Sequence, residues 1–397
     1  MRWELLMEKE KVLIIATVSG FAAQFEMNNI HILQNLGYEV HYAANFYNPH
    51  YGKDNQRLDG IGIICHQVDF ARSPFCIKEN GKAYRQLKKL MKECTFGIIH
   101  CHTPVGGALG RIVAKKYRKD GTKVLYTAHG FHFFKGAPIW NWLLYFPIEW
   151  LLAKNTDVLI TINEEDYRRA KKYLAAKNRS IEKVQGVGID IEEYQTYKLD
   201  KGKKRKELGI LPDQYLLISI GELTKRKNHQ IVIKALGLIK KECREKKIEY
   251  LICGEGPERK RLERLIRKEG LEEVVLLSGY RMDTKELLKI SDCFLFPSKQ
   301  EGLPVALMEA MAVGVPVVCS NIRGNKDLVL KGKWLVEQSP KAYKEAIIEV
   351  MKEKQGYTTL SASCDRKAVE KEYRRIYMQV KKDRELWQRK EKKIQHI

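Results

Sequence analysis

The sequence predicts an α/β protein made of two doubly wound halves, and three observations carry that expectation. Short apolar runs alternate with helical patterns along nearly all of the 397 residues. Several of these runs stop at a glycine-containing loop that opens a helix, as at Ile220-Gly221 and Cys253-Gly254, and open parallel sheets bind ligands at that edge. The pattern breaks once, near 187–205. There Gly186-Val187-Gly188-Ile189-Asp190 gives way to the polar stretch Asp200-Lys201-Gly202-Lys203-Lys204.

In the first half, strands are expected at 11–16, 39–44, 61–68, 97–101, 123–127 and 157–162. In the second half they are expected at 215–220, 249–253, 274–277, 292–296 and 315–319. Runs such as Cys293-Phe294-Leu295-Phe296 are apolar without alternation, which fits strands covered on both faces. Two such halves are expected to flank a cleft, a usual place for a ligand. Residues 366–393 are highly charged, with Val369, Tyr373, Ile376, Tyr377, Val380 and Trp387 spaced as on one long amphipathic helix. The expected organisation is therefore a first domain over 1–190, a second over 191–365, and a helix over 366–397.

Composition bounds the function. The formal net charge is +23, which favours polyanions such as anionic lipid, phosphorylated substrates or nucleic acid. A nucleic-acid binder lacks a recognisable motif here, and the aromatics do not interleave with basic residues as in single-strand binders. The start, Met1-Arg2-Trp3-Glu4-Leu5-Leu6, lacks the apolar core of a signal peptide. No stretch is long and apolar enough to span a bilayer. Nine cysteines with no Cys-x-x-Cys pair suit reduced thiols and a cytoplasmic location.

Glu301 and Glu309, eight positions apart, carry the sharpest chemical signal. Glu301 follows the strand Cys293-Phe294-Leu295-Phe296 and stands in the loop Pro297-Ser298-Lys299-Gln300-Glu301-Gly302-Leu303-Pro304. Gly302 permits close backbone approach, and Pro304 suits the first turn of a helix. Glu309 lies inside that helix beside Ala306, Leu307, Ala310 and Met311, where a carboxylate needs a partner. The next strand follows at Gly314-Val315-Pro316-Val317-Val318.

The whole block resembles the E-x7-E signature of retaining nucleotide-sugar glycosyltransferases of the GT-B fold (glycosyl transferase family 4, group 1), in particular the bacterial capsular and exopolysaccharide type. The resemblance covers residues 11–380. It implies two facing Rossmann-like domains, with a C-terminal crossover helix returning to the first. It also implies transfer of a hexose or N-acetylhexosamine, from a donor expected to be UDP-linked, onto a polyprenyl-diphosphate-linked saccharide. No cofactor is implied beyond the nucleotide sugar, and no Asp-x-Asp stands at a suitable strand end, so no divalent metal is expected. A nucleotide-sugar epimerase or hydrolase on the same fold is the alternative within this class.

Site residues are carried over by position. The loop Gly221-Glu222-Leu223-Thr224-Lys225-Arg226-Lys227-Asn228 resembles the diphosphate loop of the family, with Lys227 on its lysine. Glu222 stands where the family commonly has arginine, so either Lys225 or Arg226 supplies the missing charge, or the clamp has fewer cations and Glu222 makes another contact, to Lys227 or the sugar. A fixed cation and a helix N-terminus would stabilise charge growing on a departing phosphate. Gly254 lies in a glycine-rich turn assigned to the nucleotide pocket. Tyr280 and Arg281 are assigned to the base, Glu309 to the ribose, Glu301 to the donor sugar hydroxyls, and the amides of Gly302 and Leu303 to the sugar or diphosphate. In the first half, Ser19 and Gly20 follow the first strand, and His102 and His129 end two others. His129 is assigned to the donor sugar, and His102 either to the acceptor or to a helix cap. Histidines at adjacent strand ends suggest metal, but no carboxylate accompanies them in ligand-like spacing, so a metal site is not expected. The aromatic run over 131–152, with Lys135, suits either the lipid interface or packing under the cleft. Together with the basic charge it predicts peripheral attachment to an anionic membrane, on the inner face of the plasma membrane.

Overall fold

The computed structural model describes residues 9–49, 55–175, 180–242, 247–330, 334–353 and 359–395. Residues 1–8, on which the lack of a leader was read, lie outside the described residues. The chain divides into two compact units, one formed by Met1–Val187 with Ala368–Ile397 and the other by Gly188–Lys367.

The first unit holds a seven-stranded parallel sheet in the order β3-β2-β1-β4-β5-β6-β7. Its strands are β1 (Lys11–Val18), β2 (Glu39–Asn45), β3 (Ile63–Gln67), β4 (Ile98–His102), β5 (Lys123–Ala128), β6 (Val158–Thr161) and β7 (Ser180–Lys183). Alternate residues of β1 serve opposite faces, as the pleat requires. Val12, Ile14 and Ala16 join one core, and Leu13 and Ile15 join the other. The second core is covered by the helices Ile77–Glu93 and Pro104–Ala114, through Leu87, Leu90 and Val113.

The first core is covered by the helix Arg366–Gln395, which buries Val369, Tyr373, Ile376, Tyr377 and Val380. Each such aliphatic side chain contributes about 1.5–3 kcal/mol by leaving water. The Tyr377 hydroxyl shares a 2.7 Å hydrogen bond with Nδ1 of His100 on β4. Trp387 lies so close to Gly121 that a Cβ there would stand 2.3 Å from the indole. Strand β7 was not foreseen, because Ser180-Ile181-Glu182-Lys183 is mostly polar and is recruited by pairing with β6.

The second unit holds a six-stranded parallel sheet in the order β10-β9-β8-β11-β12-β13. Its strands are β8 (Tyr215–Ile220), β9 (Ile248–Cys253), β10 (Val275–Gly279), β11 (Cys293–Phe296), β12 (Val317–Ser320) and β13 (Leu335–Val336). Strand β12 starts after Pro316, whose carbonyl takes the Phe294 N–H at 2.7 Å and whose missing N–H cannot extend the ladder. Strand β13 is only two residues long and was not foreseen. Both sheets reverse their order once, between β1 and β4 and between β8 and β11. Such switch points open a crevice at the carboxyl ends of the strands, where ligands bind.

Candidate active site

In the second unit, two loops leave the sheet on either side of the β8/β11 switch point and are stitched together. The Lys299 N–H donates to the Arg226 carbonyl at 2.8 Å, and the Asn228 amide donates to the Pro297 carbonyl at 3.3 Å. Asn228 itself takes the left-handed conformation, with φ +58°, which its short polar side chain tolerates better than most. These contacts bring Lys227 and Arg226 onto Glu301. Oε1 of Glu301 accepts from Lys227 Nζ at 2.8 Å and from Arg226 Nη1 at 2.9 Å. Arg323, from the loop after β12, adds a donor from Nε to the Glu301 carbonyl at 3.2 Å.

Burial alone would raise the Glu301 carboxyl, but Lys227 and Arg226 outweigh it and hold the group below the usual carboxylate range. Lys227 is pushed the other way: burial lowers its value, only partly countered by Glu301, and Arg226 lowers it further. Two cations thus share one buried carboxylate, which leaves capacity for a further anion. Nζ of Lys227 also lies 4.7 Å over the Phe296 ring. Glu222 is exposed on the same loop. Arg226, not Lys225, is the second cation on Glu301.

The glycine-rich turn after β9 braces this loop. A Cβ on Gly254 would lie 2.0 Å from the Gly221 carbonyl oxygen, and one on Gly256 would lie 2.5 Å from that of Leu223. The Leu223 N–H donates to the Glu255 carbonyl at 2.8 Å, and the Glu258 N–H to the Leu223 carbonyl at 3.0 Å. Gly302 is gripped similarly, since a Cβ on Gly324 would stand 2.3 Å from its carbonyl oxygen. Leu303 is buried, and Pro304 sits at the N-cap of the helix Val305–Val313 rather than inside its first turn. Within that helix, Glu309 Oε1 accepts from the Tyr194 hydroxyl at 2.8 Å. Burial raises the Glu309 carboxyl, with the Tyr194 hydrogen bond pulling it back. Tyr280 is 65% exposed. Arg281 is tied to Asp283 by two hydrogen bonds of 2.8 and 2.6 Å, so its guanidinium is already engaged.

In the first unit, the segments after β1, β4 and β5 meet. Ser19 is buried and donates from Oγ to Asn55 at 2.5 Å, while the Gly20 N–H donates to the Pro49 carbonyl at 3.0 Å. His102 is fully buried and does not cap the helix Pro104–Ala114, whose N-cap is Thr103. Its Nδ1 stands 3.2 Å from Nε2 of His129. No carboxylate stands near these histidines in sequence, but one joins them in space. Glu26, between the helices Gly20–Phe25 and Met27–Asn35, places Oε1 3.4 Å from His102 Nδ1 and 3.9 Å from His129 Nε2. Burial pushes the Glu26 carboxyl up to about 8, against the Asn29 hydrogen bond, and lowers His129 to about 4. Glu26 stands 76 and 103 residues before His102 and His129 in the chain, so spacing hid it. The one available signal was that it is the sole acidic residue between Lys11 and Glu39. Tyr194 and Arg323 were missed for the same reason.

Two family models match the chain, "Glycosyl transferase 4-like" over residues 11–163 and "Glycosyl transferases group 1" over 200–370. A relative from Bacillus subtilis, designated glycosyltransferase EpsD, is 36% identical over 82% of each chain. The chain belongs to this glycosyltransferase family. An Escherichia coli relative, the UDP-Gal:alpha-D-GlcNAc-diphosphoundecaprenol alpha-1,3-galactosyltransferase, is 28% identical over 80% of each chain. Among solved structures, Anabaena HepE in complex with UDP aligns with a TM-score of 0.71 at 18% identity, over 94% of this chain and all of that one. Sucrose-phosphate synthase of Thermosynechococcus elongatus aligns with a TM-score of 0.73 at 16% identity, over 94% and 99%. Those two likenesses establish the GT-B fold of this glycosyltransferase.

The aromatic run of the glycosyltransferase has a packed part and an exposed part. Phe131, Phe133, Trp142, Tyr145 and Phe146 pack against the core of the first unit. The helix Ile139–Leu152 is pinned by Glu149, which takes a bidentate pair from buried Arg111 at 2.8 and 3.1 Å. Its other side leaves Ile139, Trp140, Leu143, Trp150 and Leu151 exposed. Among the described residues, no helix is long and apolar enough to cross a membrane.

Proposed function

We propose that this glycosyltransferase moves a hexose or N-acetylhexosamine, with retention, from a UDP-sugar to a polyprenyl-diphosphate-linked saccharide during assembly of a bacterial surface polysaccharide. The observation that carries the reading is the Arg226–Lys227–Glu301 cluster at the β8/β11 switch point. The E. coli relative, named for a UDP-galactose donor and a diphosphoundecaprenol-linked acceptor, supports the donor and acceptor class.

In this reading the donor diphosphate meets Lys227 and Arg226, whose fixed charges stabilise the leaving group in the transition state. They take the role of counter-ions, so transfer is proposed to need no divalent metal on the diphosphate. Glu301 holds the sugar hydroxyls and favours positive charge at the anomeric carbon. Glu309 accepts from the ribose diol, and exposed Tyr280 offers a ring to the base. The acceptor hydroxyl attacks the face that the phosphate leaves, and the departing phosphate takes its proton, so no enzyme nucleophile is required. A lipid-linked acceptor places the work at a membrane surface. The exposed stripe Ile139, Trp140, Leu143, Trp150 and Leu151, with Lys135 and Lys154 nearby, is proposed as the shallow contact with anionic lipid on the inner face of the plasma membrane.

The test is thermal stability with UDP, GDP, ADP and CDP, comparing wild type with Glu309→Ala. A shift of a few degrees with UDP, lost in the variant, is expected. No shift with any nucleotide at about millimolar concentration would remove the donor site from the reading.

A further inference from the structure

Glu26, His102 and His129 aim three ligand atoms at one point on the carboxyl edge of the first unit's sheet. We propose that they bind a divalent transition-metal ion of the zinc class. The distances carry this. His102 Nδ1 lies 3.2 Å from His129 Nε2, while Glu26 Oε1 stands 3.4 and 3.9 Å from those two atoms, long for hydrogen bonds to a carboxylate. Together the three separations bracket the spacing of about 3.3–3.6 Å between ligands of one tetrahedral ion at bond lengths of 2.0–2.2 Å.

The chemistry of the donor set agrees. Two imidazole nitrogens and one carboxylate oxygen form a zinc set that leaves a fourth position open. The other carboxylate oxygen, Oε2, accepts from the Asn29 amide at 2.7 Å. That bond turns Oε1 toward the histidines, as partners of ligating carboxylates do. Nε2 of His102 has no hydrogen-bond partner, so Nδ1 is the ring's only polar outlet. Phe21 walls the site, with its ring centroid 5.0 Å from that of His129 and 5.5 Å from that of His102. His102 and Glu26 are buried, while the His129 side chain is 24% exposed. The open fourth position therefore lies on the His129 side, where water or a substrate oxygen can complete it.

The experiment uses the full-length protein, stripped with EDTA and dialysed, then titrated with Zn²⁺ or Co²⁺ by calorimetry and visible absorption. About one equivalent is expected to bind, with Co²⁺ giving the intense bands of a low-coordinate site. Glu26→Gln, which keeps the Asn29 contact, and His129→Asn, at a half-buried position, should each weaken binding by about tenfold or more. His66→Asn, which alters the separate His41–His66 pair, should leave it unchanged. Absence of binding at about millimolar metal, or equal affinity in Glu26→Gln and His129→Asn, would overturn the proposal.

Discussion

Replacing Lys227 by Met separates its two roles, since Met keeps the apolar stem against Phe296 and removes only the charge. Nζ contributes one of the two cation bonds to Glu301 Oε1, at 2.8 Å, beside that of Arg226 at 2.9 Å. Truncating one member of a buried charge pair costs about 2–5 kcal/mol. Because Arg226 remains, the lower end, about 2 kcal/mol, applies to the unit Gly188–Lys367. For a unit of that size this lowers Tm by about 4–8 °C. The catalytic loss should be separate and larger, about 10²–10³ in kcat, as for other preorganised charge stabilisers. The assay is UDP release from a panel of UDP-hexoses and UDP-N-acetylhexosamines with polyprenyl-linked acceptor, run below the variant's Tm. Turnover within about threefold of wild type, despite the expected fall in Tm, would show that Lys227 only holds Glu301 and would refute its role at the phosphate.

Three further outcomes follow from contacts already described. Gly254→Ala forces a Cβ to within 2.0 Å of the Gly221 carbonyl, so it should destabilise the second unit by about 1–3 kcal/mol and weaken UDP binding; an unchanged denaturation midpoint would contradict the close packing of the two loops. His229 is held at about 3 by burial and by Lys227 beside it. An imidazole whose folded value lies below its unfolded one gives stability that is complete above about pH 6.5 and is lost as pH falls, at roughly 1.4 kcal/mol per unit. Urea unfolding should therefore show the advantage of wild type over His229→Asn shrinking between about pH 6.5 and 5, and a constant difference would reject the assignment. Finally, Trp140→Glu with Leu143→Glu should abolish co-sedimentation with anionic vesicles while leaving UDP binding intact; retained sedimentation would move the lipid contact elsewhere.

The strands were legible wherever burial on both faces left continuous apolar runs, as in β1, β8 and β11. The polar edge strand β7 and the two-residue β13 exist because a neighbour offers a ladder, which local composition does not record. In the second unit, Lys227 and Glu301 could be singled out because each follows its own strand. That Arg226 rather than Lys225 completes the cluster depends on how the loop Thr224–Asn228 closes over Pro297 and Lys299. Glu26 was invisible for a different reason. Parallel crossovers set it beside histidines from two distant strands, and no local pattern encodes that approach.

The helix Arg366–Gln395 has a consequence for synthesis. The first unit is discontinuous, and its core closes only when Tyr377 reaches His100, 277 residues earlier in the chain. At ribosomal speeds of about 5–20 residues per second, roughly 15–55 s separate the two. During that interval the β1–β4 face bearing Val12, Ile14 and Ile98 lacks its cover. The nascent first unit is therefore a natural client for a chaperone, while the second unit, contiguous from Gly188 to Lys367, can fold as soon as it emerges.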